Sequence, residues 1–279
     1  MGIFQNNLLA GAGGQASGAA AFYDHQIEQS ARFDGLTPSY LELAASDTSG
    51  NRNYWTYSVW LKRSSVNLSL DHYSSGIGGT NVFLGAYSGS GYSDDILRIQ
   101  FSHKDYPSTG TGDRIQVNSN ETNMGFDNDG SARIRDPNAW YHVVWSNSNG
   151  TCIIYVNGRQ WTNFSLDGGT NSAINSKRMR IGTDPGTNTS YTTYFGYMAE
   201  IMMISASGSA GVLTPSSFAE TKNGVWVPKD ISGLSNQDFY LKFENASDLG
   251  NDSSGNNRDW TVSGMGADHQ VLDSPTFGS

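Results

Sequence analysis

Apolar and polar residues alternate along this chain with a period of two in run after run. In Tyr54–Arg63 the positions Trp55, Tyr57, Val59 and Leu61 share one face, and Tyr54, Thr56, Ser58 and Trp60 share the other. The stretch from Pro137 to Trp161 holds three such runs, divided at Asn149-Gly150 and Asn157-Gly158. Asn-Gly suits the positive-φ positions of tight hairpins, so this stretch predicts a three-stranded antiparallel meander. Within its first run Trp140, His142 and Val144 point one way and Tyr141, Val143 and Trp145 the other. Large apolar groups on both sides mean a sheet covered on both faces.

Shorter runs predict strands over 81–87, 96–101, 114–117, 132–135, 179–182 and 197–204. Turn residues separate them and no long polar linker intervenes, which is the pattern of one large all-β sandwich. A single helix is expected at Thr214–Lys222, with Thr214 as N-cap and Pro215 at the first helical position. Phe239–Phe243 reads as a late strand with Phe239, Leu241 and Phe243 inward, placed beside the first strand. Residues 1–29 are Gly- and Ala-rich, uncharged over most of their length and unable to build a core, so they read as an arm. The body spans 30–245. Residues 246–279, rich in Gly, Asn, Asp and Ser, form a tail that packs on it through Trp260.

The Trp-Tyr-His-Val strand at 140–143 and the Tyr-Val-Asn-Gly hairpin at 155–158 resemble the laminin-G or concanavalin A-like jelly-roll superfamily. Ser30–Gly35, Tyr40–Leu43, Tyr54–Arg63 and Phe195–Ile204 look like further strands of that fold. A narrower resemblance lies in Leu213–Thr221, Gly224–Lys229, Phe239–Phe243, Asp252–Trp260 and Asp273–Thr276, which are similar to a module of tailed-bacteriophage structural proteins. The implied architecture is an all-β concanavalin A-like jelly-roll sandwich with an N-terminal arm and an extended C-terminal tail.

Charge and composition narrow the function. A formal charge of −9 and a pI near 4.9 disfavour nucleic acid, because phosphate binding needs a basic surface. The pairs Lys62-Arg63 and Lys177-Arg178, with Arg180, read as solvated strand edges. No segment is long and apolar enough to span a membrane, and Met1–Asn7 has no secretory character. Cys152, the sole cysteine, sits at a core position of its run.

Catalysis finds little support. Family members that cleave β-glucans carry Glu-x-Asp-x-x-Glu on one strand, and none of the six glutamates here has that spacing. Glu200 is expected on the solvent side of its strand or paired with an arginine. The five histidines are too scattered for zinc, and His142 reads as a packing residue. Asp127, Asn128 and Asp129 lie within one turn and resemble half of a calcium loop, although Asp-Asn-Asp-Gly is also ordinary turn chemistry. Loop tyrosines that could stack on sugars are Tyr87, Tyr92, Tyr106, Tyr191 and Tyr194.

The expectation is a non-enzymatic phage virion protein on the particle exterior, as capsid decoration or as part of a tail fibre or adhesin. It has no cofactor beyond a possible calcium ion and is assembled in the host cytoplasm as a homo-oligomer. Its partners are other virion proteins and glycans, with no nucleic acid and no membrane. Ile3, Phe4, Leu8 and Leu9 would dock the arm on another subunit. The alternative is a free carbohydrate-binding lectin or polysaccharide hydrolase of the same fold.

Overall fold

The computed structural model describes residues 22–35, 38–45, 50–64, 81–87, 97–101, 114–119, 122–123, 134–166, 177–184 and 193–276. Within them the strands are β1 (Ser30–Asp34), β2 (Tyr40–Leu43), β3 (Tyr54–Arg63), β4 (Asn81–Tyr87), β5 (Leu97–Phe101) and β6 (Ile115–Ser119). The chain continues through β7 (Thr122–Asn123), β8 (Tyr141–Ser148), β9 (Thr151–Val156), β10 (Arg159–Ser165), β11 (Arg178–Ile181) and β12 (Phe195–Ser205). It ends with β13 (Ala219–Lys222), β14 (Val225–Pro228), β15 (Gln237–Leu241), β16 (Thr261–Ser263) and β17 (Gln270–Val271).

Two sheets face each other across one core. The first runs β10-β9-β8-β3-β12-β1-β17, with β15 also paired to β12, and the second runs β16-β2-β11-β4-β5-β6-β7. This is an all-β jelly-roll sandwich. The predicted meander is β8, β9 and β10, and its turns hold Asn149 and Asn157 at φ 51° and 48°. The faces follow the alternation: Trp55, Tyr57, Val59, Leu61, Val143 and Trp145 all enter the core between the sheets. There Trp55 and Trp145 meet edge to face at 4.8 Å. Cys152 is likewise buried in that core.

The back of the first sheet is also covered, as its two-sided apolarity requires. Val144, Met202, Ile204 and Tyr240 pack under Phe218 and Ile231, and Trp60 and Ala199 pack under Ile27 and Ala219. That cover corrects the helix expected at 214–222. Only Pro215–Ser217 makes a 3-10 turn, after which β13 pairs with β14 as a hairpin. Phe218 and Ala219 must both reach the sheet, and Asn223-Gly224 supplies the positive-φ turn at 51° and 83°. The expected strand at 132–135 is also revised. Its described part, Ile134 and Arg135, is irregular, and the Ile134 carbonyl accepts a hydrogen bond from the buried Arg63 guanidinium.

The late strand does not lie beside β1. On one edge of β12, β1 pairs with Phe195–Met198 and β15 pairs with Ile201–Ile204, so the two stand end to end. On the opposite edge the register against β3 slips between Ala199 and Met202. Met198 and Ile201 both enter the core, so strict alternation would point Glu200 inward as well. The bulge sends Ala199 and Glu200 outward together. It holds Glu200 at φ 42°, a left-handed conformation that costs a residue with a side chain about 1–3 kcal/mol.

The tail takes part in both sheets: β16 pairs with β2 and β17 with β1. Trp260 is buried and meets Phe239 edge to face at 4.9 Å. Asp252 fastens the loop before it, accepting hydrogen bonds from the backbone of Tyr240, Ser254 and Arg258 and from the Ser254 hydroxyl.

Candidate functional site

The alternation that sends Leu41, Leu43, Met179, Ile181, Leu97 and Ile99 into the core sends a polar set to the outer face of the second sheet. Strand register aligns it in rows: Thr261, Glu42, Arg180, Gly85 and Arg98 stand across β16, β2, β11, β4 and β5. Arg180 Nε donates to Glu42 Oε2 at 2.5 Å, and its guanidinium lies 4.4 Å from the centre of the Tyr40 ring. Arg178 lies 5.4 Å from the Tyr87 ring centre and 4.0 Å from Glu42. Arg98 is paired with the buried Asp184, and Gln100 Nε2 reaches Gln116 Oε1 at 3.5 Å. Gln100 Oε1 is buried without a hydrogen-bond partner.

The accessible part of this face is the β16-β2-β11 side, where the Arg178 and Glu42 side chains are 35% and 26% exposed. A planar guanidinium held over an aromatic ring and a carboxylate is pre-organised to give hydrogen bonds in fixed directions. On this side the Tyr40 ring, the guanidinium donors of Arg178 and Arg180 and the Glu42 carboxylate make a surface suited to a flat, hydroxyl-rich ligand.

The residues singled out from sequence separate here. Tyr87 belongs to this face, though its ring is nearly covered. Tyr194 does not: it is fully buried, packed against Phe33 and Phe83, and its hydroxyl donates to the Lys62 carbonyl at 2.9 Å. It is a core residue with no surface for a sugar. Tyr92, Tyr106 and Tyr191, the turn Asp127, Asn128 and Asp129, and Ile3, Phe4, Leu8 and Leu9 lie outside the described residues. Among the described residues no three His, Cys, Asp or Glu side chains are grouped to hold a metal ion.

Arg178 and Arg180 are not solvated edges, since β11 lies between β2 and β4. Their i, i+2 spacing beside Met179 and Ile181 was the signal that both share one polar face. Tyr40, Glu42 and Gln100 required knowledge of which strands are neighbours.

Two other polar groups could suggest chemistry. His142 hydrogen-bonds Ser58 Oγ through Nε2 at 2.9 Å, as a nucleophile and base would. Its Nδ1, however, receives the indole N–H of Trp226 at 3.1 Å, and indole nitrogen only donates. Nε2 therefore carries the proton and donates to Ser58, the wrong direction for a base. Complete burial between the Trp60 and Trp226 rings lowers its pKa to about 3. The second group is Glu200, which pairs with His25 and Tyr240 rather than with solvent or an arginine.

The model of the concanavalin A-like lectin/glucanases superfamily matches residues 37–210. No curated protein sequence matches the chain. Among solved structures, a Bacteroides ovatus protein described as a candidate carbohydrate-binding protein aligns at 16% identity and TM-score 0.55, over 90% of this chain and 62% of its own. The chain thus spans less than two thirds of that protein. A heptameric pentraxin from Limulus polyphemus aligns at 13% identity and TM-score 0.42, over 66% of this chain and 77% of its own. Domains LG4-5 of the mouse laminin α1 chain align at 13% identity and TM-score 0.43, over 77% and 46%. With more than half its length matched and two facing antiparallel sheets, this chain belongs to the concanavalin A-like lectin/glucanases superfamily.

Proposed function

We propose that this protein is a non-enzymatic carbohydrate-binding component of a phage particle exterior. The observation that carries the binding part is the cluster of Tyr40, Glu42, Arg178 and Arg180, in which the two guanidiniums lie over the Tyr87 and Tyr40 rings beside a carboxylate that is 26% exposed. The carbohydrate-binding description of the Bacteroides ovatus neighbour agrees with this reading.

The absence of catalysis rests on the missing glutamate pattern and on Glu200. Glu200 is 3% exposed, and one of its oxygens already accepts two hydrogen bonds at 2.7 Å. Such a group is poorly placed to protonate a glycosidic oxygen.

The virion part rests on the phage-like pieces of the C-terminal third. Several of them contact one another: β13 pairs with β14, Asp252 accepts from the Tyr240 N–H, and Trp260 meets Phe239, while Asp273 ties its piece to Lys62 and Trp140 of the sandwich. The protein's partners would be other virion proteins in a homo-oligomeric array.

The binding test is a polysaccharide array probed with the purified protein and with Arg178→Ala and Tyr40→Ala. Binding that falls at least about tenfold in both variants supports the reading, that factor being the roughly 1.4 kcal/mol of one lost charged or stacking contact. Equal binding by all three proteins would move the site elsewhere. Labelled antibody on intact particles tests the location.

A further inference from the structure

Glu200 stands at the gap in the β12 edge, where pairing to β1 stops at Met198 and pairing to β15 starts at Ile201. Residues 22–29 cross that gap. Glu200 Oε1 accepts from Tyr240 Oη and bonds His25 Nε2, each at 2.7 Å, while Oε2 is buried with no partner. The crossing segment has three further anchors. Asp24 pairs with Lys222 at 2.9 Å, and the Ile27 side chain is buried with Trp60, Ala199 and Ala219. The Thr276 hydroxyl both accepts from the Ile27 N–H at 3.0 Å and donates to its carbonyl at 2.9 Å. Beneath the segment lies a cleft of about 200 Å³, walled by His25, Glu28, Glu200, Lys242 and Glu244.

We propose that residues 22–29 form a pH-set strap, in which protonated His25 clasped to Glu200 holds the segment down over this cleft and loss of that proton releases it. This inference does not depend on the glycan face, which lies on the other sheet. The groups around His25 decide the direction. Glu200 comes from β12, Tyr240 and Lys242 from β15 and its end, Glu244 from just beyond, Asp230 from the preceding loop, and Glu28 from the strap itself.

The bond to Glu200 raises the His25 pKa above its ordinary 6.5, against the lowering effects of burial and Lys242. A histidine raised by a partner gives its full stabilisation below the unfolded pKa and loses it as pH rises through the folded one. The strap is therefore closed in acid and loosens on the alkaline side. Once His25 is neutral, Glu200, Glu244, Glu28 and Asp230 face Lys242 alone, and a buried carboxylate has lost its cation. Two of the other anchors do not respond over that range. The Ile27–Thr276 bonds and the buried Ile27 side chain carry no ionisable group.

The test is amide hydrogen exchange of the full chain from pH 6 to pH 9, each rate corrected for its intrinsic pH dependence, with the His25 ring followed by NMR. Protection of residues 26–29 should fall severalfold with rising pH while β3 and β12 stay protected, tracking the ring titration. His25→Gln keeps a hydrogen-bond donor and removes the titration, so its protection should be pH-independent. Glu200→Gln should leave the strap loose at pH 6. Constant protection in the parent, or the same pH dependence in His25→Gln, would overturn the strap. Both outcomes are readable whether or not the protein binds a glycan.

Discussion

At the scale of single residues, several polar side chains are fixed by what their neighbours can and cannot donate. The indole of Trp226 sets the tautomer of His142, and that tautomer sets the direction of the bond to Ser58. Trp226→Phe keeps the ring and removes the donor, leaving a buried acceptor unmet. The expected loss is about 1–3 kcal/mol in chemical denaturation, against almost none for a solvated tryptophan. Asp238 illustrates the cost of burial without full pairing. Its Oδ2 is buried with no partner, and burial lifts its pKa to about 6 despite the Ser205 hydroxyl and Arg258. The alternation in β15 marked Phe239 and Leu241 as inward but held no sign that Asp238, just before Phe239, would be covered.

Elements show a second kind of constraint, set by close approach of backbones. A Cβ on Gly250 would lie 1.8 Å from the carbonyl oxygen of Trp260, whose own N–H bonds the Gly250 carbonyl at 2.8 Å. Gly250→Ala must push the tail off the sandwich and pull Trp260 from its place on Phe239. A loss above about 3 kcal/mol is expected, with a fall in Trp260 burial read by fluorescence quenching. Gly233 has nothing within contact range of its Cβ position, so Gly233→Ala is the control and should leave the melt unchanged. Propensity alone misjudged the 214–222 segment. A cap and a proline favour a helix, but Phe218 and Ala219 gain more by reaching two apolar clusters on the sheet, and an Asn-Gly pair stood ready for a hairpin.

Over the whole molecule, His142 and Asp238 pull the pH dependence in opposite directions. His142 stays neutral when folded, so its contribution is present above pH 6.5 and is lost as pH falls toward 3. Asp238 acts oppositely: its raised pKa favours the fold in acid, and that contribution is lost as pH rises from 3.8 through about 6. Between pH 4 and 6 the two slopes oppose each other. Asp238→Asn removes one of them, so its stability should fall more steeply on acidification than the parent's, by on the order of 2 kcal/mol across that window. Parallel profiles from denaturation at each pH would refute this. Chain ends differ in a testable way. Cutting at residue 245 removes β16, β17 and Trp260, which serve both sheets, and should abolish the cooperative melt. If residues 1–21 are an arm with no part in the core, as their composition implies, removing them should leave the melt unchanged. If the arm docks on neighbouring subunits, incorporation into particles should nevertheless be lost.

How much was legible in advance follows from how far each signal reaches along the chain. Strands β3 and β8 with their inward faces, and the β8–β10 meander, depend on a two-residue period and on Asn-Gly turns, both local, so the sequence alone determined them and with them the sandwich class. Tertiary structure decided the rest. That β15 abuts β1 end to end, that Arg180 and Arg98 share a row with Glu42, and that Tyr194 is core are matters of which distant strands become neighbours. Glu200 joins the two levels. Its strand was readable, but its outward turn comes from a bulge that exists because Met198 and Ile201 both demand the core, and its partners His25 and Tyr240 lie 175 and 40 residues away. No local pattern encodes a contact of that span, because it is fixed only when the whole core has packed.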